Sequence, residues 1–243
     1  MMMMKGKFIF SVIFLSLLNF AAFGETLQEA ETPSPVETPA PAPSFFSACD
    51  LTAEFSPAIY INPESSLVSA PSPVIYPVSI GFLWPNYTKI AIQPTLSFFT
   101  MYHLWYDGQA LPAEIENRTS QTINLLLDIP AVFSIYSSEK SRFQFSSGLA
   151  FLMRFGILAG GVKETDSGYT GSAGSDMDKI NSYFWDNARF LYMSFGASWL
   201  YDLVPHLRLG PVFHTYLPLG TMFAGEGVQG MIISLGLKLN FHL

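Results

Sequence analysis

Charged side chains are scarce in this chain, so each is a candidate for chemistry. Only 13% of its 243 residues are Asp, Glu, Lys or Arg, against about a quarter in a typical soluble domain. Glu54, Asp128, Arg142, Arg154, Arg208, His214 and Lys238 share one feature: each falls on the opposite parity to a local run of apolar residues. A period of two puts alternate residues on opposite faces of a strand. These side chains are therefore expected on the inner, polar face of whatever the strands enclose. An isolated buried ion is costly, so charges placed there should pair. Glu54 lies in the first strand and Lys238 in the last, and the two become partners if the sheet closes on itself. The group could act as a structural network filling the interior, or as the gate of a path through it.

Other chemistries have less support. His103 and His214 share the polar parity with many serines, toward the far ends of their strands. A hydrolytic site needs a nucleophile, a base and an orienting group within reach. Neither a Gly-x-Ser-x-Gly elbow nor a His-Glu-x-x-His pair is present, so no enzyme activity is expected. The 4 histidines are scattered, and Asp166, Asp176 and Asp178 lack the spacing of a calcium loop. Cys49 is the sole cysteine, which excludes an intrachain disulfide and a cysteine metal cluster. No metal and no cofactor is expected. A net charge of −7 argues against nucleic-acid binding, which calls for a basic stripe.

The elements that must position these residues are long alternating strands. In the last of them Met231, Ile233, Leu235, Leu237, Leu239, Phe241 and Leu243 fall on one parity. Gly230, Ile232, Ser234, Gly236, Lys238, Asn240 and His242 fall on the other. Similar segments are predicted at about 49–61, 73–84, 88–106, 120–136, 142–158, 188–202 and 207–217. Pro77 interrupts the second, since proline removes a ladder donor. Globular strands average about 5–6 residues, whereas membrane-spanning strands need roughly 9–11. Hydrophobic content is 49% and aromatic content 15%, yet the mature region has no apolar run near the ~18 residues of a transmembrane helix. High apolarity without helical spans favours a membrane β-barrel.

Short connections alternate with long ones, and both ends of the barrel segment fall on the short-turn side. Tyr76, Trp84, Tyr102, Tyr106, Trp199 and Tyr201 sit near strand ends, where aromatic girdles belong. The expected fold is an all-β, antiparallel, up-and-down transmembrane barrel of about eight strands over residues 48–243. Its longest loop, 160–182, is rich in Gly, Ser and Asp and is expected to be exterior surface. A soluble β-sandwich or lipocalin-like barrel would instead turn the apolar face inward.

Two segments precede the barrel. Residues 1–24 combine Lys5 and Lys7, the apolar run Phe8–Leu18 and the small-x-small site Ala22-Phe23-Gly24, the pattern of a secretory signal peptide. Residues 25–47 alternate proline through Pro33, Pro35, Pro39, Pro41 and Pro43, as in a stiff, extended periplasmic linker.

In its hairpin rhythm and closing strand the chain resembles the small outer-membrane barrels of Gram-negative and spirochaetal bacteria, the OmpW, OmpX and OmpA-barrel kind. Leu235, Leu237, Leu239, Phe241 and Leu243 look like the C-terminal signal read by barrel-assembly machinery, although that signal usually ends in an aromatic residue. The resemblance implies export to the outer membrane, with outer-membrane lipid and the assembly machinery as partners. An OmpW-like relative implies a narrow conduit for small, apolar solutes. An OmpX-like one implies a non-conducting structural or adhesive barrel whose exterior loops meet host or environment. Some outer-membrane barrels modify lipid A with Ser or His near the outer rim, a less favoured alternative here.

Overall fold

The computed structural model describes residues 46–63, 70–114 and 117–243. The expected signal peptide lies outside these residues, as does the linker apart from Phe46 and Ser47. The strands are β1 (Asp50–Phe55), β2 (Ala58–Tyr60), β3 (Val74–Ile75), β4 (Val78–Leu83), β5 (Ile90–Ile92), β6 (Thr95–Tyr106), β7 (Gln109–Pro112), β8 (Ser120–Ser137), β9 (Ser141–Leu158), β10 (Leu191–Val204), β11 (Leu207–Pro218) and β12 (Ile232–His242). Helices α1 (Ala173–Trp185) and α2 (Leu219–Ala224) lie in the connections.

Proline explains why there are more strands than staves. β1 and β2 are one stave broken at Pro57, β3 and β4 one broken at Pro77, and β5 and β6 one broken at Pro94. Proline has no N–H to give to the ladder, so the pairing lapses there and resumes beyond. The Pro77 break matches its expected effect; those at Pro57 and Pro94 have the same cause. Joined this way, and with β7 set apart because it pairs only with the far end of β6, the staves form a ring of 8, antiparallel throughout. The ring closes where β1 meets β12, from Asp50↔His242 to Phe55↔Leu237.

Side-chain burial alternates along the staves with the predicted parity, except at the far end of β6, where His103 and Leu104 are both buried. Asp50, Thr52 and Glu54 of β1 are buried inside the ring, while Leu51 and Phe55 point outward. On β12, Ser234, Lys238 and Asn240 are inside, and Leu235 and Leu237 are 66% and 57% exposed. A soluble barrel would show the reverse. The exterior is an apolar belt, the interior a mixed polar and apolar core.

A ring this small brings backbones close together where strands coil. A Cβ on Gly210 would lie 1.8 Å from the Trp199 carbonyl oxygen across the β10–β11 ladder. Gly210→Val is therefore expected to overpack the lumen, at a cost of about 1–3 kcal/mol or more. A lowered urea midpoint of the folded, fast-migrating band on unboiled gels would register it.

One end of the barrel carries the short turns at 84–89, 138–140 and 205–206, together with residues 49 and 243. The other carries the long connections. The expected loop 160–182 is only partly a loop, because α1 begins within it. Ser172 caps the helix by accepting from the Ser175 N–H. Ile180, Tyr183 and Phe184, three and four residues apart, give it a single buried face. The segment's Gly, Ser and Asp content hid that spacing. Similarly, the Gly-rich stretch before β12 contains the short helix α2.

Candidate functional site: a plugged and capped lumen

The middle of the lumen is occupied by charges from staves that the sequence separates widely. The β1–β12 register sets Glu54 opposite Lys238. Lys238 Nζ lies 3.5 Å from Glu54 Oε1 and donates to Gln93 Oε1 at 2.5 Å. Gln93 Nε2 donates to Glu54 Oε1 at 3.2 Å, and His214 Nε2 lies 2.9 Å from Glu54 Oε2. The His214 ring fits because its neighbour on β10 is Gly196, where a Cβ would come within 2.9 Å of Nδ1. Asp128 is held separately, accepting from Ser194 Oγ at 2.7 Å. Around this plug lie two interior cavities of about 10 Å³ each, one bordered by Asp128 and Lys238, the other by Glu54 and Tyr216. Each has room for one water at most.

Arg208 sits at the turn end rather than in this plug. It reaches Asp50 at 3.2 Å and Asp202 at 2.6 Å, while His242 Nδ1 and Asn86 Nδ2 approach the other Asp50 oxygen at 3.0 and 2.8 Å. Arg142 is close by and half-buried, and donates to the Asn86 carbonyl at 3.4 Å. It shares the expected face, but its place next to a turn brings it to a backbone oxygen.

At the opposite end Arg154 lies beneath α1. It donates to Tyr60 Oη at 3.1 Å and to the Arg189 carbonyl at 2.8 Å, and Phe184 of α1 covers its guanidinium at 4.3 Å. Phe184 also meets the His103 ring edge-on at 5.0 Å. Ile180, Tyr183 and Phe184 pack with Ala110 and Trp105 across the mouth. The helix is pinned at its sides. The Asn181 side chain pairs with the Gly156 backbone in both directions, at 2.7 and 3.1 Å. Arg189 forms an ion pair with Glu226, beyond α2, and stacks under the Tyr183 ring at 3.8 Å. Burial opposes the charge on Arg189, but the hydrogen bond to Glu226 and the nearby Tyr183, Glu226 and Asp186 together outweigh it and raise the guanidinium pKa. Burial likewise pushes the Tyr183 hydroxyl well above the usual phenol range.

The expected lumenal residues are thus divided among three layers. Glu54, His214 and Lys238 come together, with Asp128 nearby, while Arg142 and Arg208 serve the turn end and Arg154 the capped end. The sequence reading missed Gln93, whose neutral side chain bridges the plug. It also missed Asp50, although parity had already placed that residue on the polar face. His103 and His214 do not form one site: His214 is at mid-lumen and His103 under the cap, 3.2 Å from Thr122 Oγ1.

A closed antiparallel ring of 8 staves, apolar outside and polar inside, defines a small β-barrel of the outer-membrane type. Among the solved structures it is similar to are small outer-membrane β-barrels. Neisserial surface protein A (NspA) is 8% identical, with a TM-score of 0.48 over 81% of this chain and 97% of that one. The attachment invasion locus protein Ail of Yersinia pestis is 6% identical, with a TM-score of 0.43 over 79% and 96%. The N-terminal β-barrel domain of Pseudomonas aeruginosa OprF is 12% identical, with a TM-score of 0.36 over 79% and 96%. No family model matches the chain, and no curated protein matches it in sequence.

Proposed function

We propose that the protein is an integral outer-membrane barrel with a closed lumen, working through its capped outer end rather than as a through-conduit. The supporting observation is the filled interior. A plug centred on Glu54 and Lys238 is followed by an apolar layer and then by α1, with cavities of only about 10 Å³ between the packed side chains. On this reading the outward belt faces lipid. Leu239, Phe241 and Leu243 of the closing segment face outward as well, where assembly machinery can read them. Residues 1–24 direct export, and the short turns face the periplasm. The cap then faces the environment, and its role is contact there; the reading assigns it no reaction.

Conductance tests this. Protein refolded in detergent to a heat-modifiable form and placed in planar bilayers is expected to give no stable conductance steps. Reproducible steps from that folded form would restore the narrow conduit and overturn the closed reading.

A further inference from the structure

The two long connections at the capped end differ sharply in charge. Lys163, Glu164, Asp166, Asp176, Asp178 and Lys179 lie on the approach to α1 and in its first turns. Glu164, Ser172, Ser175 and Asp178 border an open polar depression of about 410 Å³ there. From Thr215 to Leu237, by contrast, the only charged residue is Glu226, and it turns to Arg189 and Tyr183. That stretch contains α2, whose inner side is fixed in place. A Cβ on Gly220 would lie 2.2 Å from the Ala188 carbonyl oxygen, and the buried Thr221 hydroxyl donates to the Gln229 carbonyl at 3.1 Å. The outer side presents Met222 and Phe223, and Phe223 is 68% exposed, as bare as Leu235 of the outward belt. Trp185, the last residue of α1, is exposed too. Its ring lies 6.0 Å from that of Phe155 and 5.7 Å from that of Phe190, and Phe155 is an exposed, outward residue of β9. Residues 186–188 then join Trp185 to the seat of α2. The apolar belt thus continues from β9 over the rim to the end of α1 and reaches α2.

We propose that α2 and the Trp185 end of α1 form a docking surface for lipid of the outer leaflet, with Met222 and Phe223 among the upper acyl chains and the Trp185 ring at the head-group boundary. A short segment with one apolar side and almost no charge fits the boundary between head groups and chains, and tryptophan favours that depth. In water the same residues would be a bare apolar patch, which exterior surfaces rarely leave uncovered. The pairing of Glu226 with Arg189 neutralises the one charge that would oppose this placement. The cap is then fastened to the membrane on the α2 side, while its charged side around Glu164 and Asp178 stays in solution. The proposal rests on the functional reading only in taking the outward belt as lipid-facing and the capped end as exterior. Conductance decides whether the lumen is closed and lipid contact decides this surface, so either can fail alone.

The test is fluorescence quenching of the refolded full chain in phosphatidylcholine vesicles, either by a phosphatidylcholine brominated near the head-group end of its chains or by iodide in the water. One reporter keeps Trp185 alone, with Trp84, Trp105 and Trp199 replaced by Phe. Two others replace Trp185 by Phe as well and carry Phe223→Trp or Glu164→Trp. The Trp185 and Phe223→Trp reporters are expected to be quenched more by the brominated lipid than by iodide, and the Glu164→Trp reporter in the reverse order. Either of the first two following the Glu164→Trp order would overturn the proposal. So would protection from both quenchers, which would mean that a second copy covers the surface instead. Should the tryptophan replacements not fold, Met222→Cys and Glu164→Cys in a Cys49→Ser background decide. In the same vesicles a charged maleimide should label Met222→Cys at least about 10-fold more slowly, the order of exclusion expected when an apolar position of this size is held out of water. Equal labelling rates would overturn the proposal.

Discussion

Lys238→Ala is expected to cost the barrel about 3–5 kcal/mol, the usual penalty for removing one partner of a buried ion pair. Lys238 and Glu54 have side chains only 4% and 3% exposed. Without the ammonium, Glu54 keeps the neutral Gln93 amide and the His214 ring and must hold its charge in a desolvated lumen. Replacing a buried pair by neutral groups of similar volume is often nearly neutral in stability. The double variant Glu54→Gln, Lys238→Met should therefore recover most of the loss. Urea unfolding followed by the fast-migrating band measures both. Near-additive losses in the double variant would mean that the two residues act independently, contrary to the geometry at 3.5 Å.

Phe184→Ala is expected to have the second large effect, confined to the cap. The ring is 1% exposed and lies against Arg154 and His103. Truncating a buried Phe typically costs about 3–5 kcal/mol. Here the loss falls on the seating of α1 rather than on the ladders, which Phe184 does not join. The Asn181 and Arg189 contacts remain, but the helix loses the side chain that fills the mouth. Local opening should rise by about 100-fold or more for a loss of this size. Limited proteolysis should then cut the connection 159–190 far faster while the barrel itself stays heat-modifiable. Equal cutting rates in the variant and the parent protein would mean that α1 is held by its flanks alone.

How much of this was legible in the sequence depended on the kind of signal. Strict alternation over long runs carried the staves and their facing: Leu235, Leu237 and Leu239 could all point outward only if Ser234, Gly236 and Lys238 pointed in. Parity together with closure also placed Glu54 beside Lys238, because the first and last staves of a barrel must meet. Parity does not give height along the barrel. Arg142, Arg154 and Arg208 share the lumenal face with Glu54 but lie near its ends, where their partners are backbone oxygens, the Tyr60 hydroxyl, Asp50 and Asp202. Gln93 carried no charge to attract notice, although it shares the lumenal parity of Thr95 and Ser97. The helix α1 was obscured by composition, although Ile180, Tyr183 and Phe184 already had helical spacing. The Arg189–Glu226 pair depends on α1 and α2 both forming, which no local pattern announced.

Closure between the first and last staves supports the whole account, since it sets the plug, the facing and the outward belt together. Ala53 and Leu239 are register partners across that seam and both point outward. Cross-strand partners have Cα atoms about 4.5–5.5 Å apart, within the range a disulfide spans. In a Cys49→Ser background, the pair Ala53→Cys and Leu239→Cys is expected to cross-link on oxidation in the folded barrel. It should then retain faster mobility after boiling until a reductant is added. Failure to cross-link in protein that still shows the folded band, while a pair shifted along either stave does cross-link, would contradict this closure and the lumen built on it.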